Sequence, residues 1–184
     1  MEPMRFIGRL HQFWVKFISL LPGVPAKEPA LVANGEPLSR FLVSSKCLNR
    51  TDPKKPRLTP FAFIPQREIK FSVFRIRDWS LTELRAKGVE IADRREQRAK
   101  ELALADGRDY PDSKRSIHLY GAGIVSGQDV RDSGLDVKPD EPPQKHAIIV
   151  GWPPLVGNNR QDEAVQMLYA LKLLSRARFL PLNS

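Results

Sequence analysis

Along residues 69–77 the apolar positions Ile69, Phe71 and Val73 alternate with polar ones, as expected of a strand with one covered face. The alternation breaks at Val73-Phe74, after which Phe74 and Ile76 continue it in the opposite parity. A bulge at that step would restore one buried face and gather Lys70, Ser72, Arg75 and Arg77 on the other. An unbulged strand would set both arginines beside Phe71 and Val73. Residues 40–45 suit a short strand, residues 116–125 a further one, and residues 146–152 an uninterrupted apolar strand. The run Pro60-Phe61-Ala62-Phe63-Ile64-Pro65 is apolar but bracketed by prolines, which predicts an edge strand or extended loop. Residues 49–56 read as a loop from their Asn, Asp, Pro and Lys content, and the segment after Gly134 reads as an acidic, proline-rich loop through Pro143.

Helical patterns fill the intervals. Ser80-Leu81-Thr82-Glu83 has the spacing of a capping box, so a helix is expected from Leu81 to about Gly88. A second, over residues 90–105, is rich in Ala, Glu, Arg and Lys and is followed by Gly107 at the C-terminal cap position. A short helix is expected between Ser126 and Gly134. The last runs over residues 161–178, with Ala164, Met167, Leu168, Leu171, Leu174 and Ser175 as its core stripe. Strands and helices in mixed order, without regular βαβ alternation, predict one α+β domain over residues 38–184: a small mixed or antiparallel sheet packed by two to four helices.

Ahead of that domain, residues 1–22 place Phe6, Leu10, Phe13, Phe17 and Leu21 on one helical stripe flanked by Arg5, Arg9 and Lys16. The segment reads as an N-terminal arm docked on the domain, with an interfacial membrane helix and a signal peptide as the competing readings. Residues 23–37 hold three prolines and two glycines and have the composition of a linker. No run of eighteen uncharged apolar residues is present, and the single cysteine, Cys47, cannot form an internal disulfide. A cytoplasmic setting without a membrane partner is the expectation.

The formal net charge of +9 points toward a polyanionic partner, and its distribution is uneven. Between residues 38 and 78 the cations Arg40, Lys46, Arg50, Lys54, Lys55, Arg57, Arg67, Lys70, Arg75 and Arg77 face only Asp52, Glu68 and Asp78. Residues 79–116 carry nearly balanced charge, with Glu90/Arg94 and Glu96/Lys100 spaced as pairs on a solvated helix.

Four pieces of the chain resemble landmarks of a family of small bacterial proteins to which no activity attaches. They are Arg40-Phe41-Leu42-Val43-Ser44, Arg57 through Pro65, Phe71-Ser72-Val73-Phe74-Arg75, and His146-Ala147-Ile148-Ile149-Val150-Gly151-Trp152-Pro153. The resemblance spans residues 38–178. This chain has Thr59-Pro60 where the family pattern has Lys-Pro, and Ile148 where it has Asn, so two polar groups are missing. The resemblance implies a bacterial, cytoplasmic protein and supplies no substrate or cofactor.

The candidate chemistry follows from the charge. Arg40, Lys46, Lys70, Ser72, Arg75 and Arg77 are the expected nucleic-acid or phosphate contacts, because guanidinium forks can grip two phosphate oxygens at once. Phe61, Phe63 and Phe74 are either stacking surfaces or core. His146, opening an apolar strand, is the candidate general acid or base, with Ser44, Ser72 or Asp140 as possible partners. Gly121-Ala122-Gly123-Ile124-Val125-Ser126-Gly127 is one residue too long for a dinucleotide fingerprint, so its glycines read as sites of close packing. Three scattered histidines and one cysteine give no metal-ligand spacing, and no cofactor is expected. Trp152 and Tyr169 are the candidate partner-contact residues. The leading expectation is a non-enzymatic accessory protein that binds nucleic acid or a nucleoprotein complex through residues 38–78. The alternatives are a small enzyme acting on a phosphate-containing substrate, with Arg75 as anion clamp and His146 as acid or base, and a protein-interaction subunit of a larger complex using its N-terminal helix.

Overall fold

The parity change in the strand at residues 71–75 has a simple origin: both faces of the sheet are covered. In the computed structural model, which describes residues 30–52, 54–65, 71–110, 117–141, 143, 145–154 and 160–182, the chain divides into two units, Met1–Ala30 and Leu31–Ser184. Expectations for residues 1–29 and for Lys70 lie outside the described residues. The second unit is an α+β fold around a six-stranded antiparallel sheet.

In chain order its strands are β1 (Pro37–Leu42), β2 (Leu48–Asn49), β3 (Arg57–Leu58), β4 (Phe71–Arg75), β5 (Gly121–Ser126), β6 (Asp136–Pro139), β7 (His146–Val150) and β8 (Arg178–Leu180). The helices are α1 (Leu81–Ala105), α2 (Gly127–Asp132) and α3 (Arg160–Leu174), with short 3-10 turns at Ser45–Cys47 and Pro60–Ala62. The main sheet runs β6-β7-β4-β1-β5-β8, and β2 pairs with β3 in a separate arm. Both edge strands are short, and β6 ends on Pro139, which limits edge-to-edge pairing.

On one face Leu38, Leu42, Phe71, Val73, Val125, Val137, Ala147 and Ile149 join Val130 of α2, Ala170 and Leu173 of α3, and Ala62 and Phe63. On the other, Phe41, Phe74, Ile76, Ala122 and Ile124 meet Leu84 and Ile91 of α1. The register from Phe71↔Ile149 to Phe74↔His146 is continuous, so the strand carries no bulge at Val73-Phe74. Its two apolar parities serve two cores.

Further corrections share this tertiary origin. Gly88 does not end a helix: α1 is continuous for 25 residues, opened by the Ser80/Glu83 capping box and closed at Gly107, whose φ of 67° admits the αL cap. There Arg108 N–H donates to the Ala103 carbonyl at 2.9 Å and Gly107 N–H to Leu104 at 3.1 Å. Gly88 lies buried against the sheet, and a Cβ there would come within 2.7 Å of Leu119 and 3.0 Å of Phe41. Residue 88 therefore sets how closely α1 approaches β1. Glu90 pairs with Arg94 as its spacing predicts. Glu96 instead turns inward, accepting from Tyr110 Oη at 2.8 Å and from Ile117 N–H at 2.9 Å.

The expected core stripe of α3 holds only in part: Leu174 packs on the core and Met167 is half-buried, but Ala164, Leu168, Leu171 and Ser175 are exposed. Gln166, Ala170 and Leu173 are buried, whereas Leu168 and Leu171 are 59% and 44% exposed. Within residues 60–65, Pro60–Ala62 form a 3-10 turn rather than an extended edge, with Ala62 and Phe63 in the core. The loop expected before His146 contains edge strand β6, and β8 falls where the sequence pattern predicts no strand. The domain also begins earlier than residue 38: Val32 is buried in the core and Glu36 is held by Arg75.

The close approach at β5 is sharpest at Gly121, whose φ is 146° and where a Cβ would stand 2.6 Å from the Leu180 carbonyl oxygen. Gly121→Ala is expected to destabilise the domain by roughly 2–4 kcal/mol through backbone strain and overpacking. Gly35→Ala, with nothing within 4 Å of its added methyl, should stay within about 0.5 kcal/mol of wild type. Urea unfolding of both variants measures the contrast.

Candidate nucleic-acid interface

Antiparallel pairing places Leu38 opposite Arg75, on the face that carries Phe71 and Val73. The Arg75 guanidinium does not reach outward. Its Nε donates to Glu36 Oε1 at 2.7 Å and its Nη2 to Glu36 Oε2 at 3.1 Å, and Nη2 also reaches the Leu31 carbonyl at 3.4 Å. Both side chains are largely buried. Burial alone would raise the Glu36 pKa, but the hydrogen bonds from Arg75 and from Ala33 N–H, with the charges of Arg75 and Arg77, hold it below the ordinary carboxylate value. The Glu36 hydrogen bond correspondingly raises the Arg75 pKa. Arg75 therefore ties residues 31–36 to the sheet and is not a free anion clamp.

Arg40 is likewise turned to internal use. β1 pairs with β4 only at Leu38↔Arg75 and Ser39↔Phe74, beyond which the ladder opens. Arg40 Nη1 donates to the Ser72 carbonyl at 3.2 Å, and the guanidinium lies 4.4 Å from the Phe71 ring centroid. Burial lowers the Arg40 pKa to about 10, with the nearby charge of Arg95 adding to the effect. Burial also raises the pKa of the Cys47 thiol, which the two arginines partly offset. Ser72 is exposed, and the residue contributes its carbonyl, not its hydroxyl, to Arg40.

The exposed cations gather elsewhere. The β2–β3 arm is anchored by Leu48 and Leu58, paired with one another and packed on the core, so that the next pair, Asn49 and Arg57, belongs to the outer side. Thr59 N–H donates to the Cys47 carbonyl at 2.9 Å and Thr59 Oγ1 to the Lys46 carbonyl at 2.6 Å, clamping the base of the arm. Asn49 Oδ1 accepts from Thr51 N–H at 2.9 Å, and Asp52 Oδ1 from Lys54 N–H at 2.9 Å, which fold the tip into successive Asx turns. Lys46, Arg50, Lys54, Lys55 and Arg57 are all exposed around it. Arg50 also lies over the Tyr120 ring, 4.2 Å from its centroid. A surface pocket of about 200 Å³ is lined by Asn49, Thr51, Asp52, Lys55 and Arg57.

Of the six expected contacts, then, Lys46 stands exposed at the base of this arm, Arg77 is exposed on a turn after β4, Arg40 and Arg75 are engaged internally, Ser72 offers no cationic contact, and Lys70 is not described. Arg50, Lys54, Lys55 and Arg57 belong to the basic stretch but stand outside that set of six. A signal for them is present in Asp52-Pro53-Lys54-Lys55-Pro56: with no apolar neighbour to bury, that run has to stay in water.

His146 pairs with Phe74 across the β4–β7 ladder and sits edge-on to its ring at 5.3 Å. Its Nδ1 lies 3.0 Å from the Asp140 carbonyl oxygen and 3.1 Å from Asp140 Oδ2, so Asp140 is the partner among those expected. His146 is 9% exposed and lies on the face opposite Arg75, so the two do not converge. Trp152 is a core residue, 3% exposed, tilted against Phe71 at 5.9 Å and Tyr169 at 6.5 Å. Tyr169 is half-buried beneath Lys172, and Phe61 is the exposed member of the three phenylalanines. Among the described residues no helix is long and apolar enough to cross a membrane. No protein-family model, curated protein or solved structure matches the chain.

Two outcomes follow from the buried arginines. Glu36→Gln leaves Arg75 without its counter-charge and should cost about 3 kcal/mol at neutral pH. Because the folded-state Glu36 pKa lies below its ordinary 4.5, that difference is complete above pH 4.5 and shrinks as pH falls through the lowered value. Denaturant unfolding of wild type and variant at pH 7 and in acid checks the sign. Arg40→Met removes a desolvated charge while keeping side-chain length, and is expected to hold stability within about 1 kcal/mol of wild type or raise it, whereas Arg40→Ala lowers it by leaving the stem's packing unfilled. Thermal unfolding at pH 7 distinguishes the two.

Proposed function

We propose that the protein is a non-enzymatic accessory protein that binds nucleic acid, alone or within a nucleoprotein complex, through the β2–β3 arm. The supporting observation is the set of five exposed cations, Lys46 at the base of one short arm and Arg50, Lys54, Lys55 and Arg57 along it, an arm whose single carboxylate, Asp52, is occupied in capping the turn. A phosphate backbone is attracted by several such charges on one surface, since each neutralised phosphate releases condensed counterions. The pocket on the arm has room for a phosphate group but lies below the roughly 300–1,000 Å³ of ordinary small-molecule sites. That scale favours contact with a polymer backbone over capture of a whole nucleotide. The enzymatic alternative required Arg75 and His146 to face one substrate, and their placement on opposite faces removes its support.

Fluorescence anisotropy with labelled single-stranded RNA and duplex DNA tests the reading. Affinity is expected to fall linearly with salt on logarithmic axes. A Lys54→Ala/Lys55→Ala/Arg57→Ala variant should flatten that slope by roughly 0.7–0.9 for each phosphate it no longer neutralises, at unchanged thermal stability. Absent binding at low ionic strength, or an unaltered slope in the triple variant, overturns the proposal.

A further inference from the structure

The exposed face of α3 has a pattern that solvent contact does not call for. Ala164, Leu168, Leu171 and Ser175 are spaced four, three and four residues apart, the interval of a coiled-coil seam, and all four are exposed. The opposite side of the same helix is already committed: Ala170 and Leu173 lie in the core, and Gln166 Nε2 donates to the Pro153 carbonyl at 2.8 Å. The seam is thus a second apolar stripe on a helix whose first is satisfied. Isolated surface leucines are ordinary, but two on adjoining turns, bounded by small residues at both ends, form a surface that a second helix can approach closely.

We propose that this seam joins two copies of the chain through antiparallel packing of α3 against α3. The order small-large-large-small reads the same in both directions, so an antiparallel mate sets Leu168 beside the other copy's Leu171 and Ala164 beside its Ser175. Charge chooses the same direction. Asp162 and Glu163 occupy the first turn, while Lys172 lies in the last turn, with Arg176 just beyond it paired to Asp132 of its own chain at 3.5 Å. An antiparallel pair brings the acidic end of each helix to the basic end of its mate, and a parallel pair would stack like charges. A two-fold axis closes the arrangement, leaving no seam free to extend a chain of copies.

Sedimentation of the full chain should show the mass rising from one copy toward two as concentration increases. Leu168→Lys/Leu171→Lys, at positions whose exposure lets the monomer fold, should weaken association by at least about tenfold while leaving the circular dichroism unchanged. Direction is read by oxidative cross-linking in a Cys47→Ala background. A mixture of Ala164→Cys and Ser175→Cys chains should cross-link, whereas each alone should not, since like positions would stand about 16 Å apart along the helix axes. Wild-type protein that stays a single copy at every concentration, double-lysine protein that associates as well as wild type, or Ala164→Cys chains that cross-link to themselves as readily as in the mixture would each overturn the proposal. So would a Leu168→Cys protein that stays a single copy and resists thiol labelling, which would give the seam to another segment of the same chain.

Discussion

The six-residue ladder between β1 and β5, Pro37↔Ser126 to Leu42↔Gly121, is the interaction on which the rest of the domain depends. It joins segments far apart in sequence, so β4, α1 and the loops between them close around it. On its far side β5 receives β8, and this is possible because residue 121 has no side chain to meet the Leu180 carbonyl. On its near side β1 pairs with β4 for only two residues. Where that ladder opens, the chain supplies Arg40 to the Ser72 carbonyl, so a side chain takes over a contact that a backbone N–H would otherwise make.

That exchange alters the meaning of the chain's positive charge. Two of its most suggestive arginines face inward: Arg75 secures the segment at Glu36, and Arg40 lies against Phe71 in the opening of the sheet. Neither is available to steer a ligand. Cations that remain fully hydrated contribute most to long-range attraction, and these stand where the backbone has few apolar side chains to bury. The arm at residues 48–58 meets that condition because Leu48 and Leu58 secure its root, leaving the turn beyond them to be shaped by Asn49 and Asp52.

Local chemistry was legible in the sequence, and the choice between two faces was not. The Ser80/Glu83 capping box depends on residues within one turn and forms, and the short helix expected after Ser126 forms with a capping box of its own at Ser126/Asp129. The stop expected at Gly88 failed because the glycine answers to Leu119 and Phe41, residues distant in sequence, rather than to its helix. The break at Val73-Phe74 suggested a bulge only on the premise of a single covered face. α3 shows the same difficulty in another form: two apolar stripes run along it, and only its place on the core, against the turn at Pro60–Ala62, decides that Ala170 and Leu173 go inward. For the site, the segmental charge excess led to the region where exposed cations gather, but it did not separate Lys46 and Arg77, which are exposed, from Arg40 and Arg75, which fold inward. A count of cations carries no information on which of them fold against a carboxylate or a carbonyl.

The arm and α3 rest on the same face of the sheet: Leu48 and Leu58 at one end and Leu173 at the other belong to or pack on one core, with the 3-10 turn at Pro60–Ala62 between them and lying against α3. This shared support couples two otherwise separate surfaces. A two-fold pair formed through α3 would carry two arms in a fixed relation, and a polyanion long enough to meet both would hold the second by proximity instead of by a new encounter. The gain depends on geometry rather than on additional charge, since no single arm becomes more basic. On the proposed reading the inward arginines would serve binding without contact: Arg40 ties β1 to β4 and Arg75 ties Glu36 to the sheet from which both surfaces project.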